Sequence, residues 1–434
     1  MENSKLNTLR VSVGDVRGAR CPISKLKLIG NYSIQAIDGK SEYLNDLSQL
    51  RYFKEPIDTE DVNFHLGVIK IQDEAIIADT EKENTIADTE KESTVANTEK
   101  ENTIADIENE NTVANTEKEN TVADTEEETE ETARYQIHFL LKWVLENLDL
   151  IRAKDSNEIE HCLQPDFICT RGPIKTLLLT PFEKFNGWIL CASKFKGTIY
   201  LNYYCSDDRI EQISNFTPEQ TRNIEWGFTF EEYMLSDTPY RGDDFSARCD
   251  INGEFHCVFK SKLDKKTLLY SAEIDGIRSQ QVVEDTVVGK NLELIELKTT
   301  PSNNCGPKGI KDPNKMLTWW AQCYLADVRT IICGCKHKNG DIKRIKEVKL
   351  HEFLYRIKDK QKRCLSFCNG FLDFIKNTVS EEHNKCLYKF TFDLNKKEIT
   401  AEELDPNCNY AFLNPWYVKK VEDYFARKGN ASCS

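Results

Sequence analysis

The sequence predicts an α+β fold, mixed β-sheets with flanking helices, interrupted by one segment that belongs to neither. Three observations carry this. From about residue 165, runs such as "DFICTRG", "GWILCASKFKGTIYLNYY" and "LELIELKTT" alternate or stay apolar over strand lengths. Helical spacing marks Ala133 to Ala153, where Ile137, Leu140, Leu141, Val144, Leu148 and Ile151 fall on one stripe. Between residues 79 and 132 a nonapeptide repeats, with copies starting at 79, 88, 97, 106, 115 and 124.

In chain order, residues 25–70 read as short strand-like and loop segments, including "SQLRYF" at Ser48–Phe53. The repeat follows. Nine residues span about two and a half helical turns, so its Ile/Val-Ala pair changes face from copy to copy. Nine is odd, so the pair alternates in a strand as well. Neither structure collects a buried stripe, and the segment is expected to be a disordered acidic insertion. After the helix at 133 and the strands come a helix near Pro313, "NKMLTWWAQCYLADV", and the apolar strand "TIICGC". A helix near 351–376 and the apolar turn "YAFLNPWYVKKVEDYF" close the chain. The organisation is thus 1–78, the insertion 79–132, and a main part 133–434.

Charge follows the same division. The formal net charge is −14, but residues 79–132 hold 19 Asp/Glu and 4 Lys/Arg, a local −15, which leaves +1 elsewhere. The folded part is therefore not set against a nucleic-acid partner. None of the 16 cysteines forms a Cys-x-x-Cys pair, and the spacings Cys333/Cys335 and Cys364/Cys368 match no common zinc pattern. Reduced thiols in the nucleus or cytosol are the expectation. "MENSKLNTLRVSV" has no apolar signal core and no 18-residue apolar run exists, so a soluble intracellular protein with no membrane partner is expected.

Chemistry concentrates in two strand-like runs. "YSAEIDGI" places Glu273 and Asp275 two apart, hence on one face, and "LIELKTT" does the same for Glu296 and Lys298. A surface ion pair is the bland reading. Three converging carboxylates and a lysine would instead suit a hard divalent ion, Mg²⁺ or Mn²⁺. The Asp…Glu-x-Lys order resembles the core of restriction-endonuclease-like nucleases, where carboxylates hold metal and the lysine serves the attacking water or the scissile phosphate. "EWGFTFEEYM" adds Glu231, against the plainer reading of a helix-entry glutamate. "KMLTWWAQCYL" sets Trp319 and Gln322 on one helical face, where a buried glutamine needs something to bond. "CTRGPIK" offers Arg171 on a strand-to-turn edge, suited to a phosphate.

In order, "SQLRYF", "TRG…LLLTPFEKFNGWILCASKFKGTIYL", "WGFTFEEYM", "AEIDG", "IELKT", "KMLTWWAQCYL", "IICGCK" and "AFLNPWYV" resemble the successive blocks of the DXO-type family, decapping and NAD-decapping exoribonucleases. The resemblance covers nearly everything outside the repeat. It implies that residues 1–78 and 133–434 form one catalytic domain. It implies a metal held by Glu231, Asp275, Glu296 and the Leu297 carbonyl, with Glu273 as metal ligand and catalytic residue. Lys298 and Gln322 would be catalytic and approach the scissile phosphate, Arg171 would contact substrate, and Arg51 would lie near the RNA 5′ end. The implied activity removes NAD caps, incomplete caps or a 5′ triphosphate from RNA, leaves a 5′ monophosphate, and continues 5′→3′. Two departures bear on cap preference. Thr170 precedes Arg171 where an aromatic is common, and Gly334-Cys335-Lys336 stands for the family's Gly-Phe-Arg. A nuclear 5′→3′ exoribonuclease is an implied partner. The rival readings are a non-catalytic RNA-binding relative, an exoribonuclease-stabilising subunit, and a DNA-directed nuclease. The first is disfavoured by the complete carboxylate set.

Overall fold

The computed structural model describes residues 9–18, 21–37, 40–59, 62–67, 137–153, 162–241, 253–306 and 308–432. The insertion at 79–132 and the start of the helical run, 133–136, lie outside them.

Two mixed sheets form the frame. The larger has ten strands among the described residues. From one edge to the other these are Leu9–Ser12, Glu398–Leu404, Leu387–Asp393, Trp188–Phe195, Thr198–Tyr204, Phe167–Thr170, Lys266–Glu273, Glu254–Leu263, Ile23–Ile37 and Lys40–Leu44. The smaller runs Tyr240–Arg241, Tyr52–Glu55, Gly276–Arg278, Glu293–Pro301, Thr330–Lys336, Asp341–Lys349 and Phe64–His65. Leu235–Ser236 pairs with the second of these strands. Glu293–Pro301 and Thr330–Lys336 are parallel neighbours joined through the helix Pro313–Leu325, and both are almost wholly buried, as a parallel pair covered on both faces must be.

Three apolar layers hold the sheets. Between them, helices Arg171–Leu179, Pro313–Leu325 and His351–Thr378 bring Leu177, Trp319 and Phe367 against Tyr270 of the large sheet and Ile277, Leu294 and Ile331 of the small one. On the far side of the large sheet lie the helical residues 137–146 and the helix Pro415–Ser432. All six stripe residues read from the sequence are buried there, each contributing roughly 1.5–3 kcal/mol of gross burial. Helix Pro218–Met234 covers the outer face of the small sheet through Trp226, Phe230 and Met234.

Four sequence expectations change. Glu273 and Asp275 do not share a strand: Lys266–Glu273 ends at Glu273, and the chain crosses to the small sheet at Ile274–Asp275. The N-terminal part holds a 15-residue strand, Ile23–Ile37, rather than short segments alone. Arg171 opens a helix instead of a turn, because Pro173 falls in the first turn, where its missing N–H costs nothing. The thiols are not all reduced, since Cys305 and Cys335 form a disulfide with Cα atoms 5.4 Å apart. Among the described residues, no helix is long and apolar enough to cross a membrane.

Candidate active site

The site forms where the chain passes between the two sheets. After Glu273 closes its strand, Ile274 buries itself and Gly276 enters the small sheet beside Arg51. The Ile277 amide donates to the Arg51 carbonyl at 2.9 Å, and a Cβ on Gly276 would meet Leu235 Cδ2 at 2.6 Å and that oxygen at 3.2 Å. This crowding favours glycine, and the crossing delivers Asp275 to the motif strand. There the Leu297 amide donates to Asp275 Oδ2 at 2.6 Å.

Glu296 and Lys298 share a face of Glu293–Pro301, as their spacing predicted, and point toward the helix Pro313–Leu325. That helix is started by Asp312, whose carboxylate accepts from the Asn314 amide at 2.9 Å, with Pro313 in its first turn. Its buried face brings Gln322 to the strand. Lys298 Nζ and Gln322 Nε2 both donate to Glu296 Oε1, each at 2.5 Å. Glu296 and Gln322 are each 1 % exposed, so this is no surface ion pair. The question a buried glutamine posed is answered by that bond.

Helix Pro218–Met234 begins with a reciprocal cap. Gln220 N donates to Thr217 Oγ1 at 3.2 Å, and Thr217 N donates to Gln220 Oε1 at 2.8 Å. Glu231 sits in its last turn, not at its entry. An acid at the negative end of a helix dipole gains nothing from the helix and suits a nearby cation. Its carboxylate acts on the Lys298 ammonium.

The electrostatics are those of crowded acids. Burial, then Glu296 and Glu273, push the Asp275 carboxyl up to about 7 against the opposing pull of Lys298 and the Leu297 amide. Burial would lower Lys298, but Glu296, Asp275 and Glu231 outweigh it and hold the ammonium above its ordinary range. Arg171 is 4 % exposed, with Nε and one Nη lacking any hydrogen-bond partner among the described residues. Its charge reaches Cys323, the neighbour of Gln322. Arg51 pairs its guanidinium with Asp237 at 3.5 Å, while its carbonyl accepts from the Ile277 amide at the crossing.

Oxygen donors from Glu231, Asp275, Glu296 and the Leu297 carbonyl, with Glu273 next in chain to the crossing, are the donor set of a hard divalent cation. Burial first, and then the crowding of Glu296 and Glu273, disfavour the charged form of Asp275, a cost that a bound cation would offset. Among the described residues, no three His, Cys, Asp or Glu side chains are gathered tightly enough to enclose an ion as they stand. Glu296 instead spends one oxygen on Lys298 and Gln322.

The family model described as "RAI1 like PD-(D/E)XK nuclease" matches residues 114–418. The chain belongs to that family. Its class is that of the RNA-decapping nucleases, which are hydrolases. The decapping and exoribonuclease protein of Bos taurus is 29 % identical over 301 residues, 67 % of this chain and 72 % of the relative. The human protein of the same name is 28 % identical over 298 residues, again 67 % and 72 %. The solved Rai1 of Candida albicans in complex with pU5-Mn²⁺ aligns with a TM-score of 0.65 at 18 % identity, over 96 % of this chain and 99 % of its own. Scheffersomyces stipitis Rai1 with (3′-NADP)⁺ and calcium aligns at 0.63 and 16 %, over 98 % and 100 %. These structures share the fold.

Sequence reasoning did not single out Lys315 or Thr300. Lys315 lies seven residues before Gln322, on the same helical face, and Thr300 lies two after Lys298, on the same strand face. Those two spacings were the available signal.

Proposed function

We propose that this chain hydrolyses the 5′ ends of RNA, removing NAD caps, incomplete caps or a triphosphate to leave a 5′ monophosphate, and then digests 5′→3′. The observation that carries this is the buried junction of Glu296 with Lys298 and Gln322, beside Asp275 and the unpartnered guanidinium of Arg171. A divalent cation, Mg²⁺ or Mn²⁺, held by Glu231, Asp275, Glu296 and the Leu297 carbonyl with help from Glu273, would supply Lewis acidity toward the phosphate.

The chain's own groups do the rest. Lys298, kept protonated by its acids, offsets charge developing on the scissile phosphate. Gln322 can donate through Nε2 and accept through Oε1, which is buried without a partner, and so can fix an attacking water. Arg171 offers free, buried donors that a phosphate oxygen would satisfy, and burial strengthens such a contact. Trp319, three residues before Gln322, is buried on the same helical face.

Solved structures of the same fold in complex with pU5-Mn²⁺ and with (3′-NADP)⁺ and calcium support a phosphate-rich substrate. A nuclear or cytosolic location and a nuclear 5′→3′ exoribonuclease partner belong to this reading as well. The test uses RNAs ending in NAD, guanosine cap, triphosphate or monophosphate, incubated with the protein and Mg²⁺ or Mn²⁺, with products identified by mass. Release of the 5′ group as an intact dinucleotide or pyrophosphate supports decapping. Digestion of the monophosphate RNA alone would reduce the reading to an exonuclease.

A further inference from the structure

We infer that Lys315 and Thr300 form a second phosphate seat, holding the substrate phosphate that adjoins the scissile one. This rests on the hydrolase reading above and names part of the same site.

Lys315 is a lysine buried to 7 % exposure, with its ammonium 5.4 Å from the centre of the Trp319 ring. Among the described residues no carboxylate pairs with it. The nearest acid along the chain, Asp312, caps the helix at Asn314 and acts on Lys360. An ammonium in so buried a residue, with no carboxylate beside it, keeps little hydration and suits a visiting anion. Thr300 repeats the pattern in neutral form. It is fully buried, and its hydroxyl oxygen has no hydrogen-bond partner among the described residues. An unsatisfied buried hydroxyl costs its full desolvation.

Topology places the two together with Lys298. In the parallel pair, Lys298 is in register with Cys333 and Thr300 with Cys335. Lys298 and Lys315 both act on the Cys333 thiol, so both lysines border one patch. The crossover helix runs back against the strand it follows. Gln322 meets Glu296 at one end, and Lys315, about 10 Å earlier along the helix axis, falls toward the Thr300 end. The face Glu296–Lys298–Thr300 advances roughly 6.6 Å per step, a spacing close to that of successive phosphates in an extended strand. Acids stand at one end of this row. At the other stand a lysine, a hydroxyl and the positive end of a 13-residue helix.

The ligand chemistry is a phosphate, and two sources supply one: the next phosphodiester of the RNA, or the distal phosphate of a 5′ cap. The test compares the full chain with Lys315→Met, Lys315→Arg and Thr300→Val in Mn²⁺, on a short 5′-phosphorylated RNA and on NAD joined through one phosphodiester to a single nucleoside, which has a cap and a scissile bond but no downstream phosphate. Methionine keeps the aliphatic stem over Trp319 and removes only the charge. For Lys315→Met on RNA, KM rises about tenfold with kcat within about twofold, and arginine restores most of it. The slope of log KM against log salt becomes shallower by about 0.7, the loss of one phosphate contact, which a merely structural role would not produce. Thr300→Val raises KM in the same direction. A KM rise on RNA but not on the NAD-capped nucleoside assigns the seat to the downstream phosphodiester, and a rise on both assigns it to the phosphate on the 5′ side of the cut. Unchanged KM and unchanged salt slope in Lys315→Met and Thr300→Val would overturn the inference. If the unaltered protein hydrolyses neither probe, the hydrolase reading falls. The salt slope of RNA binding in the same variants then decides the seat by itself.

Discussion

Gln322 Nε2 donates to Glu296 Oε1 at 2.5 Å, across the gap between the crossover helix and the motif strand. The Lys298 ammonium holds the same oxygen. Two donors from different elements thus satisfy one oxygen of a carboxylate that water does not reach.

The first prediction concerns that junction. Lys298→Met leaves a 1 % exposed carboxylate without its ammonium, and stability should fall by about 3–5 kcal/mol. Adding Glu296→Gln to that variant removes the stranded charge and should recover most of the loss. Urea unfolding of the two single variants and the double one, read as a cycle, checks this. A double variant as unstable as Lys298→Met would deny that the loss is electrostatic.

Metal should stabilise the fold through its acids. Adding Mn²⁺ should raise the melting temperature of the unaltered protein, since an ion that binds only the folded state stabilises it by mass action. Asp275→Asn and Glu296→Gln should each abolish the rise. Thermal scans with and without Mn²⁺ decide it, and an equal rise in all three proteins would mean the ion binds elsewhere.

Gly334 packs under the ring of Phe230, where an added Cβ would come within 2.5 Å of the ring. Phe230 is fully buried and precedes Glu231, so the ring cannot move without disturbing that acid. Gly334→Ala should cost about 1–3 kcal/mol and lower kcat. A denaturation curve and a rate measurement on the same preparation test both halves.

His138 supplies a pH dependence away from the site. Burial, with Lys142 adding to it, lowers its imidazole to about 4, and the ring lies edge-on to Trp416 of the C-terminal helix at 5.3 Å. The unfolded chain, near the ordinary value of roughly 6.5, then binds more protons than the native one between these limits. Stability is unaffected by this residue above pH about 6.5, declines as pH falls toward about 4, and is flat in it below. Allowing for the ring's partial exposure, the decline is on the order of 1–2 kcal/mol. His138→Phe should flatten that part of the stability–pH curve.

The Cys305–Cys335 bridge closes a loop of 30 residues and ties the segment leading into the crossover helix to the strand Thr330–Lys336. Chain entropy puts its contribution at about 3–4 kcal/mol. Dithiothreitol should lower the melting temperature of the unaltered protein but leave Cys305→Ser unchanged.

Much of this site was legible because its key residues sit where strand and helix periods hold. Alternation placed Glu296 and Lys298 together, and helical spacing placed Gln322 with Trp319 on the buried face. Glu273 and Asp275 misled because period two assumes the strand continues, whereas the chain leaves one sheet and enters another at Ile274. Arg171 misled because Gly-Pro resembles a turn, although proline is tolerated in a first helical turn. The disulfide joins residues 30 apart, and only tertiary pairing of the two strand ends brings them together.

The central claim is that Asp275, Glu296 and Lys298 form a metal-dependent hydrolytic site for RNA 5′ ends. The most direct measurement incubates 5′-end-labelled NAD-capped and triphosphate RNAs with the unaltered protein and with Asp275→Asn/Glu296→Gln, with Mn²⁺ and with chelator. The predicted result is release of the 5′ group only by the unaltered protein and only with Mn²⁺, slowed at least a hundredfold in the double variant. Equal release by both proteins, or no release from any RNA while binding persists in both, would contradict it.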